Sequence, residues 1–271
     1  MNIEVIFEDQ DILVINKPAG LVVNQADSVK ESSLQDWLEK KLGGKTFKDW
    51  EGLVPDDFNG EFGTPEEIFK QRLGMVHRLD KDTSGVIITA KNPGSLVNIL
   101  AQFQQRQVSK KYTCLSHGKF RVPRATINAP LGRMSADRQK FAVVSDGRPA
   151  VTDYEVVGYY PDFNDLGIEK LKKFKKKISV YQGFSLVNCW PKTGRTHQIR
   201  VHLKHWKHPL VGDNKYVGKK RTKLDAIWCS RQFLHAAEIE FTHPRSGEKV
   251  SFSAELAVDL KEVLKLLESD D

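Results

Sequence analysis

The sequence predicts an α+β fold: a mixed, largely antiparallel sheet with helices packed on it. Three observations carry this. Strand candidates outnumber helix candidates, they do not alternate with helices in a strict βαβ rhythm, and no internal repeat recurs at a fixed short period.

Residues 3–8 and 12–16 alternate or run apolar with β-branched residues, and the cluster Glu8–Asp11 between them reads as a tight turn, so the chain opens with a hairpin. KPAG at 17–20 ends it. Residues 33–42 have the spacing of a short amphipathic helix, and the following stretch to about Lys70, rich in Gly, Pro and acidic residues, reads as an insertion or mobile loop. GVIITAK at 85–91 is a short apolar strand, and Asn92 then offers an N-cap with Pro93 at the first position of a helix to about Gln107. Further strands are predicted at 109–116, 139–144, 150–159, 183–190, 232–242 and 248–253, and helices at 195–206 and 257–268.

A chain of 271 residues forms one large domain or two small ones. The apolar fraction of 39% and charged fraction of 28% are those of a folded, water-soluble protein. The N-terminal residues lack the basic flank and apolar run of a secretory signal, and no stretch is long and apolar enough for a membrane span, so a cytosolic protein is expected. Cys114, Cys189 and Cys229 form no CxxC pair, which argues for reduced, packed side chains rather than a disulfide framework or thiolate metal site. Charge is uneven. Residues 1–91 carry 11 Lys+Arg against 17 Asp+Glu, and residues 92–271 carry 31 against 18. A basic half implies a polyanionic partner, most simply nucleic acid, against the plainer reading of a solvated surface.

Three segments carry candidate chemistry. HRLDKDTSG at 77–85 is polar, ends in glycine and directly precedes an apolar strand, which suits a carboxylate held at a sheet edge. Taken alone, Asp80 is more often a turn-stabilising aspartate bonded to nearby backbone amides, and Asp82 can do the same for Thr83 and Ser84. TGRTHQIRVHL at 193–203 places Ile199 and Leu203 on one helical face and makes Arg195 and Arg200 available near a helix start, where anions are favoured; solvated arginines are the default alternative. In KKY at 110–112, Lys110 and Tyr112 project to the same face of a strand. Six lysines fall within 170–177, as a solvated loop or hairpin tip or as a set of phosphate contacts.

Together these segments resemble a known family. HRLDKDTSG at 77–85, KKY at 110–112, GRTHQIRVHL at 194–203 and RQFLHAAEIEFTHP at 231–244 look like the signature segments of RluA-type RNA pseudouridine synthases, in the family's order. DQDILVINKPAGLVV at 9–23 and HPLVGDNKY at 208–216 are similar to it as well, so the resemblance spans about residues 3–256. It implies one catalytic domain over 1–271 with a central RNA-binding cleft, and isomerisation of chosen uridines in a structured RNA, ribosomal RNA first and transfer RNA second. By motif match it makes Asp80 the catalytic carboxylate, Tyr112 the base-stacking tyrosine, Arg200 the arginine paired with that aspartate, and Arg78 the wedge that displaces or replaces the flipped nucleotide. Lys110, Arg195, Lys172, Lys173, Lys175 and Lys176 are expected to contact RNA.

The sequence departs from the family pattern at Asn24, where a histidine is often found, and at two segments, 44–72 and 160–181, that look like insertions. The separate N-terminal RNA-binding module of many relatives is not expected. Pseudouridine formation breaks the N1–C1′ bond of uridine and rejoins C5 to the same sugar carbon, with no net oxidation or hydrolysis. No cofactor or metal is therefore expected, nor a protein partner or membrane contact; the sequence has no dinucleotide fingerprint and no GxxxxGK[ST] loop. Asp80 must be ionised to react, and a paired guanidinium favours that form.

Rival readings are weaker. His197, His202, His205 and His208 suggest a zinc hydrolase, but the spacing is not HExxH. A glycosidase built on Asp80 and Asp82 would need carboxylates opposed across ~5–9.5 Å. A catalytically silent RNA-binding protein would not need Asp80, Tyr112 and Arg200 together.

Overall fold

A computed structural model describes residues 3–24, 32–43, 52–54, 56, 58, 60, 63–174, 178 and 180–269. In chain order its elements are β1 (Glu4–Glu8), β2 (Ile12–Lys17), α1 (Leu34–Leu42), α2 (Pro65–Arg72), β3 (Ser84–Ala90), α3 (Pro93–Gln104), β4 (Ser109–His117), β5 (Arg124–Asn128) and β6 (Leu131–Arg133). They continue with β7 (Phe141–Val143), β8 (Val151–Tyr160), α4 (Asp165–Leu171), β9 (Phe184–Pro191), α5 (Gln198–His205), α6 (Lys219–Asp225), β10 (Leu234–Thr242), β11 (Lys249–Ser253) and α7 (Val258–Leu264). Every strand pairing with a described register is antiparallel, in keeping with the α+β expectation. The chain divides into two compact units, Met1–Lys110 with Ala236–Glu255, and Lys111–His235 with Leu256–Asp271.

In the first unit the strand order is β1-β2-β3-β10, with β11 on β10. β3 is buried at all seven positions, which explains why it reads as an unbroken apolar run rather than an alternating one. Ile12, Val14, Val86 and Ile88 pack with Ile68 and Phe69 of α2 and Leu96, Ile99 and Leu100 of α3. The intervening residues Leu13, Ile15 and Ile87 pack instead with Leu34 and Leu38 of α1. The two-residue period of the strands thus feeds two cores. Asn92 caps α3 as the sequence predicts, its side chain accepting from Ser95 N at 2.9 Å.

The stretch read as a loop to Lys70 contains α2. Thr64 and Glu67 form a reciprocal capping box there, with Pro65 at the helix start. Of the proposed 44–72 insertion, residues 44–51 lie outside the described residues.

In the second unit the order is β4-β9-β8-β5, and β6 and β7 form a separate two-stranded ribbon. Cys114, Tyr154, Val187, Cys189, Ile199, Leu203 and Leu234 share one core; Phe163, Leu171, Phe184, Trp228, Phe233 and Leu260 share another. The three cysteines are free and buried, as expected. The described part of the lysine-rich segment is helical rather than a hairpin tip: α4 and a 3₁₀ turn at Lys172–Phe174 occupy 165–174. Lys175, Lys176 and Lys177 lie outside the described residues. No helix among the described residues is long and apolar enough to cross a membrane.

Candidate active site

In the first unit, the site begins at the loop that carries Asp80. Thr83 N–H donates to the Asp80 carbonyl at 3.1 Å and closes a turn over 80–83. Lys17, at the end of β2, is fully buried, and its ammonium donates to Pro18 O at 2.8 Å, Leu21 O at 2.9 Å and Lys81 O at 3.0 Å. One side chain therefore ties KPAG to the Asp80 loop. Gly85 ends the loop at φ +114°, and a Cβ there would sit 2.2 Å from Ala236 O, so the motif's glycine is dictated by the approach of β10. Leu79 is buried, Asp80 half-buried and Arg78 exposed, so the loop hides its apolar residue and presents the polar ones.

His77 anchors the other end. Ile88 N–H donates to its Nε2 at 3.0 Å, which puts the ring proton on Nδ1, and the ring stacks on Phe103 with centroids 5.4 Å apart. Burial, with the Lys110 charge adding to it, pushes the His77 pKa down to about 3. The Lys110 ammonium lies 5.4 Å from the Phe103 ring centre, and burial pushes its pKa down to about 8. Lys110 is thus a half-buried cation over an aromatic ring, not an extended surface lysine.

In the second unit, Tyr112 is half-buried on β4 opposite Cys189 of β9. Arg200, on α5, is buried and holds Asp213 with two parallel bonds, Nε to Oδ2 at 2.7 Å and Nη2 to Oδ1 at 2.8 Å. Asp213 Oδ1 also accepts from Lys215 N at 3.1 Å and Tyr216 N at 3.3 Å. The guanidinium carbon lies 5.0 Å from the Tyr216 ring centre, and the Tyr216 hydroxyl meets His197 Nδ1 at 2.7 Å. His197 precedes α5 at φ +57°, a left-handed conformation held by that contact and by packing of its ring edge-on to Phe141. The α5 start is secured by Gln198, whose Oε1 accepts from Thr193 Oγ1 at 2.6 Å and from Arg195 N at 3.0 Å. Arg195 Nε reaches Pro149 O at 3.3 Å. Lys172 is exposed and paired with Glu169, and Lys173 is exposed.

The histidines of the zinc reading are used separately. His202 is a buried core residue between Thr152 Oγ1 at 2.9 Å and Ala129 O at 3.0 Å, while His208 bonds the His117 carbonyl and stacks on Phe120. Among the described residues, Asp9, Asp11 and His243 bring ligand atoms within 4.8 Å of one another. These donors are already engaged: His243 Nδ1 accepts two backbone amides, so Nε2 donates to Asp9, and Arg245 grips Asp11. Arg245 holds the Asp11 carboxyl down at about 2. A cation there would have to displace a guanidinium.

Reading the sequence alone misses Lys17, Asp213, His197 and Tyr216 as supports of the site. A lysine closing a strand that is otherwise apolar but for Asn16 is the one available signal for Lys17.

These elements form an α+β fold, and comparison with known proteins gives its class. The family model described as RNA pseudouridylate synthase matches residues 11–205, and the chain belongs to that family. It is of the RluA type, an isomerase that converts uridine to pseudouridine in RNA. The chain is 37% identical over 267 residues to the uncharacterized RNA pseudouridine synthase YlyB of Bacillus subtilis, covering 98% of this chain and 73% of that one. It is 35% identical to the ribosomal large subunit pseudouridine synthase D of Zymomonas mobilis, again over 98% and 73%. Among solved structures, human RNA pseudouridylate synthase domain containing 4 superimposes with a TM-score of 0.65 at 23% identity, over 98% of this chain and 94% of that one. Human RNA pseudouridylate synthase domain containing 1 does so with a TM-score of 0.64 at 24% identity, over 93% and 83%. These two likenesses bear on the fold.

Proposed function

We propose that this enzyme isomerises a uridine in ribosomal RNA, with Asp80 as the reacting carboxylate. The observation that carries the target is the similarity, along 98% of the chain, to a relative named for the large ribosomal subunit. Transfer RNA is the alternative substrate. The reading places the work in the cytosol and calls for no cofactor.

Each residue has a task in this scheme. Asp80 supplies the charge that reacts, and Arg200 favours its ionised form. Asp213 fixes the plane of that guanidinium through two of its nitrogens, which supports such a role because an arginine free to rotate would be a weaker electrostatic partner. Tyr112 stacks on the uracil, holding the base while it turns. A stacked uridine is out of reach, so the base flips from its stack at a cost of a few kcal/mol, and exposed Arg78 enters the gap it leaves. Lys110, Arg195, Lys172, Lys173, Lys175 and Lys176 contact the backbone. Lys110 remains mostly charged at neutral pH with a pKa of about 8. Exclusion of water keeps the sugar carbon from hydrolysis while the base is detached.

The test is direct. Unmodified transcripts of large-subunit ribosomal RNA and transfer RNA are incubated with the purified chain and no added cofactor, and pseudouridine is mapped by carbodiimide reactivity. Conversion at a discrete position in the ribosomal transcript is the expected result; conversion of transfer RNA alone would move the target, and none in either would remove the assignment.

A further inference from the structure

We propose that the exposed face of α6, with Lys219, Lys220 and Lys223, is a docking surface for the RNA sugar-phosphate backbone. The proposal rests on the reading of the protein as an RNA-modifying enzyme and assigns it a surface that none of the family's signature segments contains.

The first observation is that these lysines are exposed and have no ion-pair partner among the described residues. Of the other exposed lysines, Lys70, Lys192 and Lys265 meet a carboxylate while Lys170, Lys173 and Lys207 meet none among the described residues, so the distinction of α6 is that three such lysines share one helix. The second is that the helix is charged against its own stability. Lys219 and Lys220 open α6, where the helix dipole disfavours cations, and Lys219 and Lys223 repel each other at i, i+4. No acidic residue stands in the first turn to offset them. A local rule broken with no structural compensation marks a place where a ligand supplies it.

The third observation concerns the one acidic residue of α6. Asp225 is fully buried and turned inward, its Oδ2 meeting His117 Nε2 at 2.9 Å and Gly212 N at 3.1 Å, its Oδ1 accepting from Tyr181 OH at 2.7 Å. Arg221 also serves the fold: it donates to Val180 O at 3.0 Å and lies over the Tyr181 ring at 5.4 Å. Tyr181 is held further by Trp228 Nε1 at 3.3 Å. Val180 and Tyr181 are therefore bolted to α6, while the carboxylate that would neutralise the helix is sequestered. What α6 presents outward is cationic only.

The occupant follows from charge. The second unit carries 27 Lys+Arg against 14 Asp+Glu, while the first carries 15 against 21. Lysines without interleaved exposed aromatics suit phosphates rather than bases, so this surface contributes affinity and register and reads no sequence.

The test uses the full chain with Lys219, Lys220 and Lys223 replaced by Gln, and a matched variant with all three replaced by Arg. Binding to a large-subunit ribosomal RNA transcript is measured at four salt concentrations, with pseudouridine mapped in parallel. The Gln variant is expected to bind more weakly, with the slope of log K against log salt smaller in magnitude by about 2 (~0.7 for each phosphate no longer neutralised). The Arg variant is expected to keep the wild-type slope, and both to mark the same uridine. Wild-type affinity and slope in the Gln variant would overturn the surface and leave it to an acidic protein. A wild-type chain that forms no pseudouridine, while the slope still falls in the Gln variant, would instead sink the enzyme reading and spare the surface.

Discussion

At the scale of single residues, buried charge decides which side chains can be changed. Arg200 and Asp213 are both buried and share two short bonds, so removing one strands the other at a cost of ~3–5 kcal/mol. Asp213→Ala should therefore lower the melting temperature by many degrees and reduce turnover with it; a variant matching wild type in both would show that Arg200 needs no support. His77 gives a pH signature. Its pKa falls from 6.5 to about 3 in the folded chain, so the unfolded state binds the proton more readily, and stability drops as pH falls from about 6.5 towards 3. Denaturant midpoints of wild type and His77→Gln between pH 7 and 4 should converge as the pH is lowered; parallel curves would contradict an imidazole held neutral by the fold.

At the scale of elements, much is legible in the sequence because the chain obeys local rules. The opening hairpin, the Asn92 cap with Pro93 after it, and six of the later strands follow directly from period and capping residues. What is not legible has physical causes. α2 lies in a segment dominated by Gly, Pro and acidic residues, and only the Thr64-to-Glu67 capping box marks it. β5 and β6 are not among the predicted strands: β5, RATIN, does alternate polar and apolar residues but over only five positions, and β6, LGR, is three residues with a central glycine. α6, KKRTKLD, has no apolar stripe, since its inward contacts are made by Arg221 and Asp225. Thr64→Ala should cost ~1 kcal/mol by removing the cap, read from the denaturant midpoint, with no change if α2 contributes nothing to the fold. Replacing Lys172, Lys173, Lys175 and Lys176 with Gln should weaken RNA binding and flatten its salt dependence without moving the modified uridine; a solvated segment would leave affinity and slope unchanged.

At the scale of the whole molecule, the candidate site is a set of recognisable segments held by supports that the sequence does not advertise. Asp80, Tyr112 and Arg200 sit in motifs whose order and spacing are distinctive. Their scaffolding depends on contacts between residues far apart in the chain: Lys17 to Lys81, Arg200 to Asp213, Asp225 to His117 and Tyr181. No local period encodes those. One claim is central: a chain of this family, with positive charge concentrated in its second unit, turns uridine into pseudouridine through the carboxylate of Asp80. Asp80→Asn keeps the shape of the side chain and removes the reacting charge, so chemistry and binding separate. The decisive measurement is single-turnover pseudouridine formation on a large-subunit ribosomal RNA transcript, alongside the dissociation constant for the same RNA. Conversion by wild type, none by Asp80→Asn, and affinities within a few-fold of each other are the expected results; substantial turnover by Asp80→Asn would contradict the central claim.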